Sequence, residues 1–330
     1  MSMKIAINGF GRIGRIIFKI ALEKGINIVA INDIHGAKDA AYLLKYDTVY
    51  GRYNKKIKIE GDNLVIDGKK IAVLNEQDPE KLPWSKLGVD LVIESSGVFT
   101  DREGASKHFK AGAKRVIVTA PGKNMDITIV PGVNDKKLNK KHKVISVASC
   151  TTNCVTPILK ILNDTFEIKN ALLTTNHAYT SNQGILDGFN KHLRRGRAAA
   201  QNIVPASTGA SEAIVEALPE LKGKVNGMAI RVPVADGSLV DVVADLKKNF
   251  TVESINNALK KASDKSMKGI VEYSEDELVS SDIIGNPHSA IVDSLLTLKE
   301  GSLVKVLAWY DNEYGYSNRV VDVINILKKV

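Results

Sequence analysis

Residues Lys4 to Gly14, KIAINGFGRIG, decide how the rest of the chain is read. A short apolar run, Lys4 to Ile7, leads into Gly9-x-Gly11-x-x-Gly14. Beyond it Ile13, Ile16, Ile17, Ile20 and Ala21 recur at i, i+3, i+4, i+7 and i+8, one buried face of a helix. Strand, glycine turn and helix in that order account for each glycine by a separate need, namely a tight turn, room for backbone to approach a pyrophosphate, and close packing of helix on strand. The helix start supplies free N–H groups and the positive end of its dipole to phosphates. A second apolar run ends at Asn32-Asp33, which places Asp33 19 residues after Gly14. A carboxylate there accepts hydrogen bonds from ribose hydroxyls and repels a 2′-phosphate, favouring NAD over NADP. The competing reading is a glycine turn in an α/β domain that binds no nucleotide.

Working outward, NIVAIN, VDLVIES, KRVIVTA and KVISVAS read as buried strands separated by helical or loop segments, and IKIEGDNLVIDGKKIAVL as a meander with DN and DG turns. The alternation predicts an α/β fold with a doubly wound, Rossmann-type parallel sheet covered by helices on both faces. After Cys150 the texture changes. Long strand patterns dominate (ALLTTNHA, GMAIRVPV, SLVDVVADL, SAIVDSLLTL, LVKVLAWY), with helical stretches at Val155 to Asn163 and Ala210 to Leu218. The turn signal ADGS between two of these strands predicts antiparallel hairpins, hence an α+β second domain with a mixed, mostly antiparallel sheet. NRVVDVINILKKV at the end reads as an amphipathic helix with a basic tip. The expected domains are 1–149 and 150–315.

Composition narrows the class. With 330 residues, 44% of them hydrophobic and 25% charged, the chain reads as a globular protein of two domains. No apolar run approaches the roughly 18 residues of a membrane span. The net charge of +9 invites a nucleic-acid reading, but the densest basic run, NDKKLNKKHK, lacks interleaved aromatics and reads as a solvated face, so no dedicated nucleic-acid binding is expected. Two cysteines and no export signal fit a reducing cytoplasm.

Both cysteines lie in ASCTTNC, at 150 and 154. Zinc needs about four ligands, and only scattered histidines are available to complete a set, so no metal is expected. A disulfide between residues one helical turn apart is geometrically poor. Cys154 reads as packing. Cys150 follows a strand and opens a helix, where unpaired N–H groups lower a thiol pKa, and it sits at the sheet edge where open α/β sheets bind ligands. A nucleophile needs a base. The best candidate is His177, at the end of LLTTNHA, although a lone histidine reads equally well as structural.

Together ASCTTNC, INGFGRIG, NHAYT, RAAAQNIVPASTGA, GMAIRVPV and WYDNEYGYS closely resemble phosphorylating glyceraldehyde-3-phosphate dehydrogenases, from residue 4 to the end. The resemblance implies that Cys150 adds as a thiolate to the aldehyde of glyceraldehyde 3-phosphate. His177 then takes the hydroxyl proton as hydride passes to the nicotinamide, and inorganic phosphate cleaves the thioester to 1,3-bisphosphoglycerate. It implies a pocket for the substrate's C3 phosphate at Thr180, Asn182, Arg194 and Arg231, and one for the attacking phosphate at Ser149, Thr151, Thr208 and Gly209. Between Arg194 and Arg195, spacing to the RAAAQN motif favours Arg194. For NAD it implicates Gly9, Gly11, Arg12, Ile13 and Gly14 at the pyrophosphate, Asp33 at the ribose, Gln77 and Thr119 nearby, and Asn312 at the carboxamide, with Phe99 and Tyr316 packed around the ring or simply in the core. It also implies a homotetramer and a C-terminal helix, about 316–330, returning to the nucleotide domain.

Three positions depart from the pattern: Gln77 stands where a basic residue is common, Ser96 where threonine is, and Gly188-Phe189 replaces a segment that usually ends in proline. The last bears on cofactor preference. A related dehydrogenase of another phosphorylated aldehyde, such as erythrose 4-phosphate, would hydrolyse the thioester; the intact SCTTN and STG signatures favour phosphorolysis. A silent binding protein on the same fold would not need Cys150, His177 and both arginine sites.

Overall fold

The computed structural model describes residues 2–330, and the chain forms two units. One comprises the residues up to Ile129, Asp135–Ala148 and Ser317–Val330; the other comprises Val130–Asn134 and Ser149–Tyr316.

The first unit is built on a nine-stranded sheet. Seven strands run parallel, in the spatial order Ile127–Thr128, Val144–Ser146, Arg115–Val118, Leu91–Glu94, Ile5–Asn8, Ile28–Asn32 and Lys69–Leu74. The meander then adds Asn63–Ile66 and Ile57–Glu60 antiparallel at one edge. Ile5–Asn8 and Leu91–Glu94 are buried at every position, as expected of strands covered on both faces. The chain steps from Ile5–Asn8 to Ile28–Asn32 on one side and later to Leu91–Glu94 on the other. The order therefore reverses at the first strand, and the crevice that open α/β sheets use for ligands lies at the carboxyl ends of these strands. Gly9, with φ of 90°, makes the turn there into the helix Arg12–Glu23.

The second unit holds a seven-stranded sheet with four antiparallel and two parallel pairings. Its central strand, Ile168–Ala178, pairs in parallel with Val225–Val232 and antiparallel with Ser238–Leu246. The hairpin expected at ADGS is therefore not formed. The two strands it joins flank Ile168–Ala178, and the turn passes over the end of that strand. A glycine turn signals reversal of direction, not whether the reversed strand pairs with its predecessor. Where a two-residue hairpin does occur, Gly301 supplies it with φ of 57° between Ala290–Glu300 and Leu303–Tyr310. Register in the parallel pair sets His177 directly beside Arg231.

Helix Cys150–Phe166 covers this sheet, burying Cys154, Val155, Ile158, Leu159 and Leu162 in the core. It starts earlier than the apolar pattern indicated because Ser149 caps it, its Oγ accepting from Thr152 N at 3.1 Å. The last helix, Tyr314–Leu327, is buried over most of its surface, and its less buried positions Asp322, Asn325 and Ile326 recur at i, i+3 and i+4 on one face, in line with the amphipathic reading. Even Arg319 is 3% exposed and pairs with Asp322 at 2.7 Å.

Candidate active site

Cys150 is the first residue of its helix and is partly exposed, with Sγ 3.3 Å from Nε2 of His177. His177 comes from the end of the central strand, where alternation turns its side chain to the face the helix covers, and it is 5% exposed. Its Nδ1 lies 2.7 Å from the carbonyl of Ala178 and 2.7 Å from Nη1 of Arg231. Arg231 Nη1 also donates to the Ala178 carbonyl at 3.0 Å, while its buried Nε has no partner. Behind the pair, the hydroxyl of Tyr310 bridges Thr151 Oγ1 at 3.0 Å and Thr175 Oγ1 at 2.7 Å, and its ring meets the imidazole edge to face.

The electrostatics differ from the simple helix-terminus expectation. Burial pushes the Cys150 thiol up; the Arg231 charge and the Thr151 N–H pull it down without overcoming that, and Asp236 adds to the rise. Burial, then the charges of Arg231 and Arg195, push His177 down to about 3, the Ala178 hydrogen bond acting the other way. Both shifts favour the neutral forms, a thiol beside an imidazole. Cys154 is fully buried, and burial raises its thiol further.

Around this pair the anion-binding candidates separate. Half-buried Ser149 caps the helix through its Oγ, and Thr151 Oγ1 meets the Tyr310 hydroxyl. Thr208 accepts from Ala210 N at 3.2 Å, and exposed Gly209 begins the helix Ala210–Ala217. Thr180 is half-buried, with its hydroxyl on Asn182 Oδ1 at 2.8 Å; Asn182 is exposed. Of the two adjacent arginines, Arg195 is half-buried, bonds to the Ser207 carbonyl at 3.0 Å, and is the one whose charge reaches His177 and Arg231, whereas Arg194, the one favoured by spacing, is exposed. Spacing along a loop does not fix which of two adjacent side chains turns inward. Both line a cavity of about 600 Å³ with Ser207 and Met228.

In the first unit, a Cβ on Gly9 would strike the backbone of Ser95 and Ser96, and one on Gly14 would strike the Gly9 carbonyl. Gly11 faces open space. Asp33 Oδ2 accepts from Phe10 N at 2.8 Å and Oδ1 from His35 N at 3.1 Å, so the carboxylate also ties the glycine loop to its own strand. Although burial works the other way, His35 and the Phe10 N–H hold Asp33 below the usual carboxylate range. Arg12 is engaged with Asp47 at 3.2 Å, and half-buried Ile13 follows it. Thr119 Oγ1 donates to the Glu94 carbonyl at 3.2 Å, and Gln77 is exposed. Phe99 lies under Lys107 Nζ at 5.5 Å. In the second unit Asn312 is buried, its Oδ1 accepting from Ser238 Oγ at 2.6 Å, which leaves its amide donors for a guest; Tyr316 is buried too.

Sequence reasoning missed a buried polar chain beside the glycine loop. The Trp84 indole donates to His108 Nδ1 at 3.0 Å, and His108 Nε2 meets Glu94 Oε2 at 3.0 Å. Asn8 donates to that oxygen at 2.6 Å, and Asn32 to Asn8 at 2.7 Å. The other Glu94 oxygen takes the Ser96 N–H at 2.8 Å. Glu94 thus fixes the turn against which Gly9 packs. The one sequence signal was an acid closing an apolar run, Leu91 to Glu94. Among the described residues no cluster of His, Cys, Asp and Glu could hold a metal, and no helix is long and apolar enough to cross a membrane.

Two family models match the chain: glyceraldehyde 3-phosphate dehydrogenase, NAD binding domain, over residues 3–102, and glyceraldehyde 3-phosphate dehydrogenase, C-terminal domain, over residues 149–312. The chain is 54% identical to the glyceraldehyde-3-phosphate dehydrogenase of Priestia megaterium over 98% of its own length and 97% of that protein's. It is 53% identical to glyceraldehyde-3-phosphate dehydrogenase 1 of Bacillus subtilis over 100% and 99%, and 54% identical to the enzyme of Borreliella burgdorferi over 99% and 100%.

Proposed function

Because the chain belongs to the glyceraldehyde-3-phosphate dehydrogenase family, we propose that it oxidises D-glyceraldehyde 3-phosphate with NAD and inorganic phosphate to 1,3-bisphosphoglycerate. The observation that carries the reading is the contact of Cys150 Sγ with His177 Nε2 at 3.3 Å, beside an arginine whose buried Nε lacks a partner. An orphaned guanidinium donor fits an anionic guest.

The residues of the first unit fit the dinucleotide. Gly9 and Gly14 let loop and helix close up, Gly11 leaves the approach open, and Asp33 offers ionised acceptor capacity for ribose hydroxyls. With Arg12 held by Asp47, the pyrophosphate falls to backbone N–H groups of Arg12 and Ile13. Gln77, Thr119 and Asn312 complete the proposed NAD contacts. When bound, the nicotinamide accepts the hydride.

Cys150 adds to the aldehyde carbon, forming a C–S bond, and its proton passes through His177 to the oxygen, giving a hemithioacetal. The Cys150 backbone N–H at the helix start stabilises charge on that oxygen. His177 then takes the hydroxyl proton as the hydride leaves, and a thioester remains on Cys150. A phosphate oxygen held by Ser149, Thr151, Thr208 and Gly209 attacks the carbonyl, breaking the C–S bond and returning the thiol. Arg231, Thr180, Asn182 and an arginine of the 194–195 pair hold the C3 phosphate. Ile185, Leu186, Phe189, Leu193 and Ile203 stand exposed on one segment, which supports association as a homotetramer, and the scarcity of cysteine supports a cytoplasmic location.

The test is phosphate dependence. NADH formation from glyceraldehyde 3-phosphate should require phosphate or arsenate, and one equivalent of iodoacetamide at Cys150 should abolish turnover while NAD still binds. Equal rates without either oxyanion exclude phosphorolysis, and activity surviving full labelling excludes Cys150.

A further inference from the structure

Thr180 follows the end of the central strand by two residues, and the chain then turns back on itself, Gln183 N donating to the Thr180 carbonyl at 3.0 Å. The Gln183 side chain folds into this turn. It is 9% exposed, and its Oε1 accepts from Thr180 N at 3.4 Å. A backbone N–H can face only the oxygen of an amide, so the orientation of this amide is set and Nε2 is left with N–H donors to place. Among the described residues Nε2 has no hydrogen-bond partner. Arg231 shows the same deficit nearby: its Nη1 donates to the Ala178 carbonyl at 3.0 Å, and its buried Nε has no partner among the described residues. The backbone groups to which the two side chains are tied, Ala178 O and Thr180 N, belong to residues two apart, a span of about 7 Å at most. The segment beyond is joined to the arginine pair, Gly184 N donating to the Arg195 carbonyl at 3.2 Å and Ala199 N to that of Gly184 at 3.0 Å. No acid occurs between Tyr179 and Leu186. Buried donors without acceptors, gathered beside guanidinium charge, suit one chemical class, a phosphomonoester whose terminal oxygens accept several hydrogen bonds at once.

We propose that Gln183 is a further specificity-determining residue for the reaction: its Nε2 donates to the C3 phosphate of the aldehyde beside Arg231, while its Oε1 holds the Thr180 backbone at the rim of the same pocket. This rests on the reading of Thr180, Asn182 and Arg231 as ligands of the C3 phosphate given above. The amide and the guanidinium select differently. Arg231 attracts any anion, whereas Nε2 carries no charge and, with its plane fixed on Thr180, bonds only an anion whose oxygen reaches it. A phosphorylated aldehyde is thereby told from an unphosphorylated one by the position of an oxygen as well as by charge.

The experiment measures the single-turnover burst of NADH with saturating NAD, from glyceraldehyde 3-phosphate and from unphosphorylated glyceraldehyde. Thioester formation needs no inorganic phosphate, so none is added and no free oxyanion competes for the pocket. Wild type is compared with Gln183→Met, which removes both contacts, and with Gln183→Glu, which keeps an acceptor for Thr180 N and replaces the donor by negative charge. The half-saturating concentration of glyceraldehyde 3-phosphate should rise about tenfold in Gln183→Met and further in Gln183→Glu, while the burst rate from glyceraldehyde stays within about twofold of wild type. Equal losses with both aldehydes make Gln183 a prop of the loop only and overturn the proposal. So does a half-saturating concentration of glyceraldehyde 3-phosphate that Gln183→Glu leaves unchanged. If Gln183→Met does not fold, Gln183→Glu decides alone. A wild type that uses both aldehydes equally well would instead reject the C3-phosphate pocket, and with it the place of Gln183 there; absence of any NADH from glyceraldehyde 3-phosphate would reject the proposed reaction itself.

Discussion

Acidification should destabilise this protein through His177, by an amount the site geometry sets. The imidazole is 5% exposed and pushed down to about 3 in the folded state, against about 6.5 when unfolded. Its folded value is depressed, so below pH 6.5 the unfolded chain binds a proton that the folded one refuses. The associated stability is fully present above pH 6.5 and is lost progressively as pH falls toward the folded value. Between pH 8 and pH 5 the loss is RT ln(1 + 10^1.5), about 2 kcal/mol. The assay is the urea midpoint of NAD-free protein at fixed concentration from pH 8 to pH 5, for wild type and His177→Asn. Subtracting the variant's profile removes every other titrating group, and the wild type should lose about 2 kcal/mol relative to the variant. A difference of opposite sign, with the wild type gaining on acidification, would mean that the resting imidazole is already protonated beside a thiolate, and the neutral-pair description would be wrong.

Tyr310→Phe leaves the buried Thr151 and Thr175 hydroxyls without their shared partner; unfolding free energy should fall by about 1–3 kcal/mol, and an unchanged urea midpoint refutes the bridge. Arg195→Ala should raise KM for glyceraldehyde 3-phosphate about tenfold or more, and Arg194→Ala less; the reverse order would restore the arginine favoured by spacing. His108→Phe removes a donor from buried Glu94 and loosens the turn under Gly9, so KM for NAD should rise about tenfold while alkylation of Cys150 in NAD-free protein keeps its rate. A change confined to alkylation would sink that assignment.

What was legible in the sequence was local. The glycine loop was readable because strand, turn and helix follow one another within a few residues, and Asp33 because the second strand brings it back to the loop. Cys150 and His177 could each be singled out by type and position, but their contact joins positions 27 apart and exists only once helix and sheet pack. Arg231 beside His177 was invisible for another reason: it depends on the register between Ile168–Ala178 and Val225–Val232, on which the ADGS turn, read as joining Val225–Val232 to its successor, says nothing. Glu94 and His108 were missed because charged residues ordinarily stay at the surface, and only a closed set of partners makes their burial tolerable. The amphipathic face of the last helix was legible, but not the burial of Arg319, which is tolerable only because it pairs with Asp322.

The turn that passes over the end of the central strand also bears on the order in which the chain acquires its chemistry. Joining His177 to Arg231 closes a loop of 54 residues by parallel pairing, and such non-local contacts form late because chain entropy is lost before they reward it. The strand Val225–Val232 must dock while its successor, Ser238–Leu246, takes the opposite flank of the same strand. The helix of Cys150 can form from local contacts alone, whereas His177 reaches Sγ, and Arg231 reaches His177, only through this sheet. Reactivity of that thiol is a property of the finished sheet, acquired with the pairing of its strands rather than with the helix that carries it.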